Sequence, residues 1–326
     1  MPTLCRSDCK NIYAAVAAVA DVDWIMLSLL ACALVAQVPS PPTPLIPPSK
    51  TTQVVFLGTG NPVPDPKHQG PAVAIIVNGQ PYIVDCGPGL VRQASAARAL
   101  GNPGLTMANL TRAFVTHLHT DHTIGLPDLM FTPAVTGRTQ PLELWGPKGL
   151  KRMVDLIQKA WSEDKDIRFH GGEPAIPEAY VVHVHEISPG LIYQDANVKV
   201  RAFQVQHGKW KYAYGYRFET PDRVIVLSGD TTYSPNLIEN AKGCDILIHE
   251  VYSAEWLKRR TKAWQAYHSA YHTSGPDLAR IANQVHPKLL ILYHELQFGQ
   301  PEGEILDEIK ATYQGPTVEA ADLASY

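Results

Sequence analysis

The chain has 326 residues, 45% of them hydrophobic, which suffices for one large domain or two small ones. Its net charge of −3 gives no global attraction for nucleic acid. Of five cysteines, Cys5, Cys9 and Cys32 precede the body; Cys86 and Cys244 alone are too few for a disulfide framework, and free buried thiols are expected.

In chain order, residues 1–38 read as a leader. Trp24 to Val38 is apolar apart from Ser28 and Gln37, too short for a transmembrane helix and suited to a signal-peptide core. Leu29-Leu30-Ala31-Cys32 is similar to a bacterial lipobox, which would place a lipid on Cys32. Export to the periplasm or medium is the expectation, with no stable membrane span after processing. A mis-assigned leader would leave the protein in the cytoplasm. Residues 39–50 form a stiff Pro-rich spacer, and residues 51–326 form the body.

The body opens with a strand at Gln53–Leu57 and a hairpin from Val73 to Val84 turning at Asn78-Gly79. A helix over Leu90–Leu100 and a strand over Ala113–Val115 follow. Leu142–Trp145 is a strand, Lys148–Trp161 a helix, and Tyr180–Ile187 and Val198–Val205 alternate as strands. Short apolar strands recur at Val224–Leu227, Ile246–Ile248 and Leu289–Leu292, with helices at Asp277–Gln284 and Glu304–Thr312. Periodicity alone says α/β or α+β.

Side chains that suit zinc stand at the ends of these strands. The strand at Ala113–Val115 runs into Thr116-His117-Leu118-His119-Thr120-Asp121-His122, with three imidazoles and a carboxylate. Val224–Leu227 stops before Asp230, Ile246–Ile248 before His249 and Glu250, and Leu289–Leu292 before His294. Strand ends sharing one sheet edge build a common pocket.

The His-x-His-x-Asp-His segment, followed by Gly125-Leu126-Pro127, resembles the signature of the metallo-β-lactamase superfamily, in its ribonuclease Z and arylsulfatase-like branch. The similarity runs from about residue 52 to the C-terminus and extends to ribonuclease-Z-like β-lactamases. It implies an αββα four-layer sandwich, a single hydrolase domain over residues 51–326, and two zinc ions, whose ligands manganese or iron can also occupy.

Residue by residue, the resemblance implies His117, His119 and His207 on the first metal and Asp121, His122 and His294 on the second. Asp230 bridges them, and Asp85 orients ligands from behind. Ile248-His249-Glu250-Val251 and Tyr271-His272-Thr273-Ser274 resemble two ribonuclease Z motifs. They imply His272 as proton donor and Glu250 as its orienter, while Asp121, beside the shared water, is a candidate proton acceptor. The implied enzyme is a hydrolase acting through a hydroxide shared between the metals.

The ribonuclease Z branch carries a long arm between the positions matching His207 and Asp230, where this chain has only residues 208–229. With the near-neutral charge, this directs the expectation to a small-molecule ester (phosphodiester, sulfate ester or lactone). A β-lactam or other cyclic amide, an RNA endonuclease and a non-catalytic metal-binding protein are the alternatives. Nucleic acid is not the expected partner; a homodimer is compatible. Lys258-Arg259-Arg260 and Lys262, beside Trp256 and Trp264, read either as an exposed helix face or as a nucleic-acid contact. Residues 148–178, with Trp161 and Phe169, are expected as a lid or wall, and Trp210 and Tyr212 as pocket lining. His183 and His185 read as a solvent-facing pair; His68 and His268 have no assigned role.

Overall fold

The computed structural model describes Ser49, residues 51–301 and residues 303–326. The leader, and the Pro-rich spacer apart from Ser49, lie outside the described residues. Among the described residues no helix is long and apolar enough to cross a membrane.

Two sheets carry the fold. The first runs in the order β1 (Thr52–Gly58), β2 (Ala72–Val77), β3 (Gln80–Val84), β4 (Arg112–Phe114), β5 (Leu142–Gly146) and β6 (Val182–Glu186). The second contains β7 (Gly190–Gln194), β8 (Lys199–Gln204), β9 (Tyr214–Glu219), β10 (Val224–Leu227), β11 (Ile246–Tyr252), β12 (Leu289–Leu296) and β13 (Thr317–Glu319), each beside the next. The helices are α1 (Leu90–Ala99), α2 (Thr120–Thr123), α3 (Leu126–Thr136), α4 (Leu150–Ala160), α5 (Ser162–His170), α6 (Pro235–Ala241), α7 (Ala254–Leu257), α8 (Lys262–Tyr271), α9 (Gly275–Val285) and α10 (Glu304–Lys310).

The apolar runs explain the layering. Successive side chains of β1 point to opposite faces: Val54 and Phe56 enter the core between the sheets, Val55 and Leu57 the core beneath α1, α3 and α4. Ile225 and Leu227 of β10 likewise face the first sheet, whereas Val226 packs under α6, α9 and α10. Strands buried on both faces need helices on the outside, so the result is the expected αββα sandwich. The hairpin turn is as expected: Asn78 and Gly79 both take positive φ, 51° and 78°, and β2 and β3 pair antiparallel.

Differences concern segments with weaker local signals. Helix α3 starts at Leu126 with Pro127 in its first turn and contains Pro133. Residues 150–170 form two helices, and Phe169 packs on Tyr180 against the outer core of the first sheet. Trp161 packs on Phe131 of α3, so these aromatics belong to the helical layer. Cys86 and Cys244 are buried free thiols in separate cores.

Strands β10, β11 and β12 run parallel, as do β3, β4 and β5, so their C-terminal ends lie at common sheet edges. The following loops supply the residues described next.

Candidate metal centre

The segment after β4 turns from extended backbone into the short α2, whose preceding residue His119 has φ −64° and ψ 153°. This turn sends His117 and His119 to one point and Asp121 and His122 to an adjacent one. His207 follows β8. Asp230 follows β10 through Gly229, where φ is +58° and a Cβ would stand 2.5 Å from the Tyr214 carbonyl oxygen; glycine is therefore required. His294 sits in a β-bulge opposite the Glu250–Val251 step, with φ +48°, and its side chain is thereby aimed inward.

Two groups result: His117, His119, His207 and Asp230 in one, Asp121, His122 and His294 in the other. His119 Nδ1 lies 2.9 Å from His117 Nε2 and 3.1 Å from His207 Nε2. Asp230 joins the groups. Its Oδ2 is 3.7 Å from His117 Nε2, 3.8 Å from His207 Nε2 and 3.8 Å from His294 Nε2, while Oδ1 is 3.4 Å from His122 Nε2. All seven residues expected as metal ligands therefore converge.

The surrounding hydrogen bonds leave lone pairs aimed at the centre. His207 Nδ1 donates to the Tyr271 carbonyl at 2.7 Å, so its Nε2 carries a lone pair inward. His122 Nδ1 donates to Asp85 Oδ2 at 2.9 Å, which leaves Nε2 as the atom turned inward. Asp85, at φ +62°, also accepts from the Thr116 amide at 2.8 Å. His122 Nε2 and Asp230 Oδ1 are buried without a hydrogen-bond partner among the described residues. Such orphaned atoms are costly unless something pairs them, and a cation does so for nitrogen and carboxylate alike.

The electrostatics agree. Burial keeps His117, His119 and His207 neutral, with His207 lowered to about 3. Burial also opposes charge on His294 and His122. There the carboxylates win: Asp230 and the Asp121 hydrogen bond raise His294 to about 8, and Asp230, Asp121 and Asp85 raise His122 well above the ordinary range. Asp121 is held down at about 2 by His122 and His294 despite its burial. A donor set that gathers protons to balance its carboxylates fits divalent cations.

His272 and Glu250 flank this centre. His272 Nδ1 lies 3.3 Å from Glu250 Oε2 and 3.9 Å from Asp230 Oδ2. Glu250 Oε1 accepts from the Thr231 and Thr273 amides at 3.2 and 3.0 Å. Burial, reinforced by Asp230, raises Glu250, and burial lowers His272 to about 4. His249 turns away and donates from Nδ1 to the Glu250 carbonyl at 2.6 Å.

A cleft of about 780 Å³ opens over the centre. Neither Trp210 nor Tyr212 lines it as expected: Trp210 donates from Nε1 to His119 Nε2 at 2.7 Å while packing against the outer core of the second sheet, and Tyr212 packs against the core between the sheets. The solvent-facing reading of His183 and His185 holds: both are exposed and contact Glu143 at 2.7 Å. Sequence reasoning left out His68, which lies 2.9 Å from Thr59 Oγ1, and His268; both line the cleft. The position of His268 one helical turn before His272 was the available signal.

Residues 81–294 match the family model described as the beta-lactamase superfamily domain. This chain belongs to that superfamily. It is a metal-dependent hydrolase of the beta-lactamase superfamily, and the relatives lie close to one branch. The ribonuclease Z of Mycobacterium marinum is 32% identical over 236 residues, covering 70% of this chain and 82% of that protein. The ribonuclease Z of Mycobacterium bovis is 30% identical, covering 74% and 85%. Among solved structures, human tRNase Z, short form, aligns with TM-score 0.62 at 22% identity over 84% of this chain and 98% of its own. The metallo-beta-lactamase fold protein YhfI from Bacillus subtilis aligns with TM-score 0.63 at 16% identity over 84% and 99%. These two likenesses establish the fold.

One expectation is corrected. Nucleic acid was set aside as a partner because residues 208–229 leave no room for the long arm and the net charge is near neutral, and the ribonuclease Z relatives overturn that. The physical reason is that net charge averages over the whole surface, while local recognition depends on the few groups at a cleft, here including Arg260.

Proposed function

We propose that this superfamily hydrolase is a ribonuclease Z-like endonuclease that hydrolyses RNA phosphodiesters with two divalent ions, zinc being the natural occupant. The observation that carries the reading is the position of Asp230 between a group of three imidazoles and a group of two imidazoles and a carboxylate, with the His272–Glu250 pair standing against the same Asp230 carboxylate. The ribonuclease Z relatives, matched over more than four-fifths of their length, support RNA as the substrate class.

His117, His119 and His207 would hold one ion, Asp121, His122 and His294 the other, and Asp230 would bridge. Ions held there acidify water to supply a nucleophile and offset negative charge developing on a phosphoryl group. The chain's own contribution is proton handling. Glu250 and His272 together keep one transferable proton, which burial favours on Glu250. As His272 gives up its Nε2 proton to a departing ribose oxygen, Glu250 can return one at Nδ1, 3.3 Å away. Asp121, ionised at neutral pH, accepts a proton from the attacking water.

The test is a panel: zinc-loaded protein on structured RNA, an aryl phosphodiester, an aryl sulfate, a lactone and a β-lactam. RNA cleavage is the expected outcome. Turnover of the lactone or β-lactam with RNA left intact would refute the proposal.

A further inference from the structure

The basic, aromatic run after β11 is divided by the structure into two parts. Trp256 is tied down: its indole donates to Glu304 and Arg259 lies 3.9 Å over its ring. Lys258 pairs with Glu255. Arg260 and Trp264, in contrast, line the cleft above the metal centre.

Helix α8 continues from there with one aromatic face. Trp264, Tyr267, His268 and Tyr271 follow the helical spacing, and His272 ends the row. The rings are in register: Trp264 lies parallel to His268 at 5.5 Å and edge-on to Tyr267 at 5.7 Å. Tyr267 stacks on Tyr271 at 4.3 Å, and Tyr271 abuts His207 at 5.1 Å. The row thus leads from the metal centre to solvent over about 12 Å.

Core packing does not account for it. Of these residues within α8, only His268 is buried, and Trp264 is 48% exposed. His268 packs on Phe298 at 4.6 Å, and its buried Nδ1 has no hydrogen-bond partner among the described residues. Arg260 lies 5.9 Å from the Phe298 ring. An exposed indole and a cation lining one cleft are the elements that grip an unpaired nucleobase and its phosphate.

We propose that Trp264 is a stacking platform for a single-stranded nucleobase close to the scissile phosphate, with Arg260 contacting the adjoining backbone. This rests on the RNA reading above and deepens it. It places single-strand recognition on α8 and makes it tolerant of sequence, since every base has a π-face.

The test combines binding and cleavage. Metal-free protein is titrated with a fluorescent short oligoadenylate and with the corresponding abasic ribose-phosphate chain. Stacking predicts that Trp264→Ala weakens oligoadenylate binding by about 5- to 150-fold. It also predicts that Trp264→Phe restores most of the loss, and that both variants bind the abasic chain as the parent does. Equal binding of oligoadenylate by Trp264→Ala and parent overturns the proposal, as does an equal loss for the abasic chain. Zinc-loaded protein is then assayed on single-stranded RNA. Trp264-dependent binding without cleavage refutes RNA hydrolysis and leaves the platform standing. Cleavage with no dependence on Trp264 in kcat/KM does the reverse.

Discussion

Replacing Asp85 by asparagine changes one atom of a buried side chain and should unseat a metal without touching a ligand. Asparagine tolerates the positive φ of 62° at this position, so the backbone has no reason to move. The orientation of the new amide is fixed from behind. Oδ1 must accept the Thr116 amide hydrogen at 2.8 Å, so the NH2 group falls where Oδ2 now stands, 2.9 Å from His122 Nδ1. Two donors cannot face each other there. His122 must turn its lone pair outward at Nδ1 and carry its proton on Nε2, the atom aimed at the centre. Partners of this kind are worth about 10- to 100-fold in metal affinity, roughly 1.4–2.7 kcal/mol. The loss should fall on the site of Asp121, His122 and His294 and spare the site of His117, His119 and His207. Competitive zinc titration of Asp85→Asn and the parent protein reads both sites. Two unchanged affinities, with the fold intact by circular dichroism, would refute the tautomer argument and with it the role given to Asp85.

Three further outcomes are expected. Glu250→Gln and His272→Ala should each lower kcat by about 10²–10⁴-fold while zinc content, measured by elemental analysis, stays at the parental level. In metal-free protein, His294 is raised from 6.5 to about 8, so its contribution is fully present below pH 6.5 and is lost as pH rises through 8. His122, also raised, acts in the same direction. Denaturant titration should show metal-free stability falling by about 2 kcal/mol or more across that window, whereas zinc-loaded protein should hold its stability there. Finally, Arg138 is buried, and its guanidinium donates to the carbonyls of Leu110, Leu129, Met130 and Ala179. Arg138→Met should cost at least about 3 kcal/mol in urea unfolding and leave zinc affinity unchanged.

What the sequence disclosed depended on how local the information was. The segment from His117 to His122 carries four ligand-type residues within one turn, and its chemistry is legible from spacing alone. His207, Asp230 and His294 are isolated in the chain; strand ends and family resemblance, not local pattern, single them out. Strands such as β1 announce themselves by continuous apolar runs because both faces are covered. Helix α3 has its Pro at the start but is mostly apolar, with Pro133 inside, so helical periodicity is weak. His68 reaches the cleft through tertiary packing, and nothing in its immediate neighbourhood says so. Nucleic acid was set aside as a partner where a whole-chain average stood in for a local surface.

The distribution of the seven converging side chains also sets a timetable. Those of the first sheet come from residues 117–122, while those of the second wait for residues 207, 230 and 294. A chain growing from its N-terminus cannot bring the first group together before Asp230 is made, nor the second before His294. Capture of ions by these residues would therefore be postponed until both halves of the sandwich exist and have docked. Seated as proposed, each ion would clamp them together like a rivet, so that chelation should loosen the seam between the halves before it unravels either one.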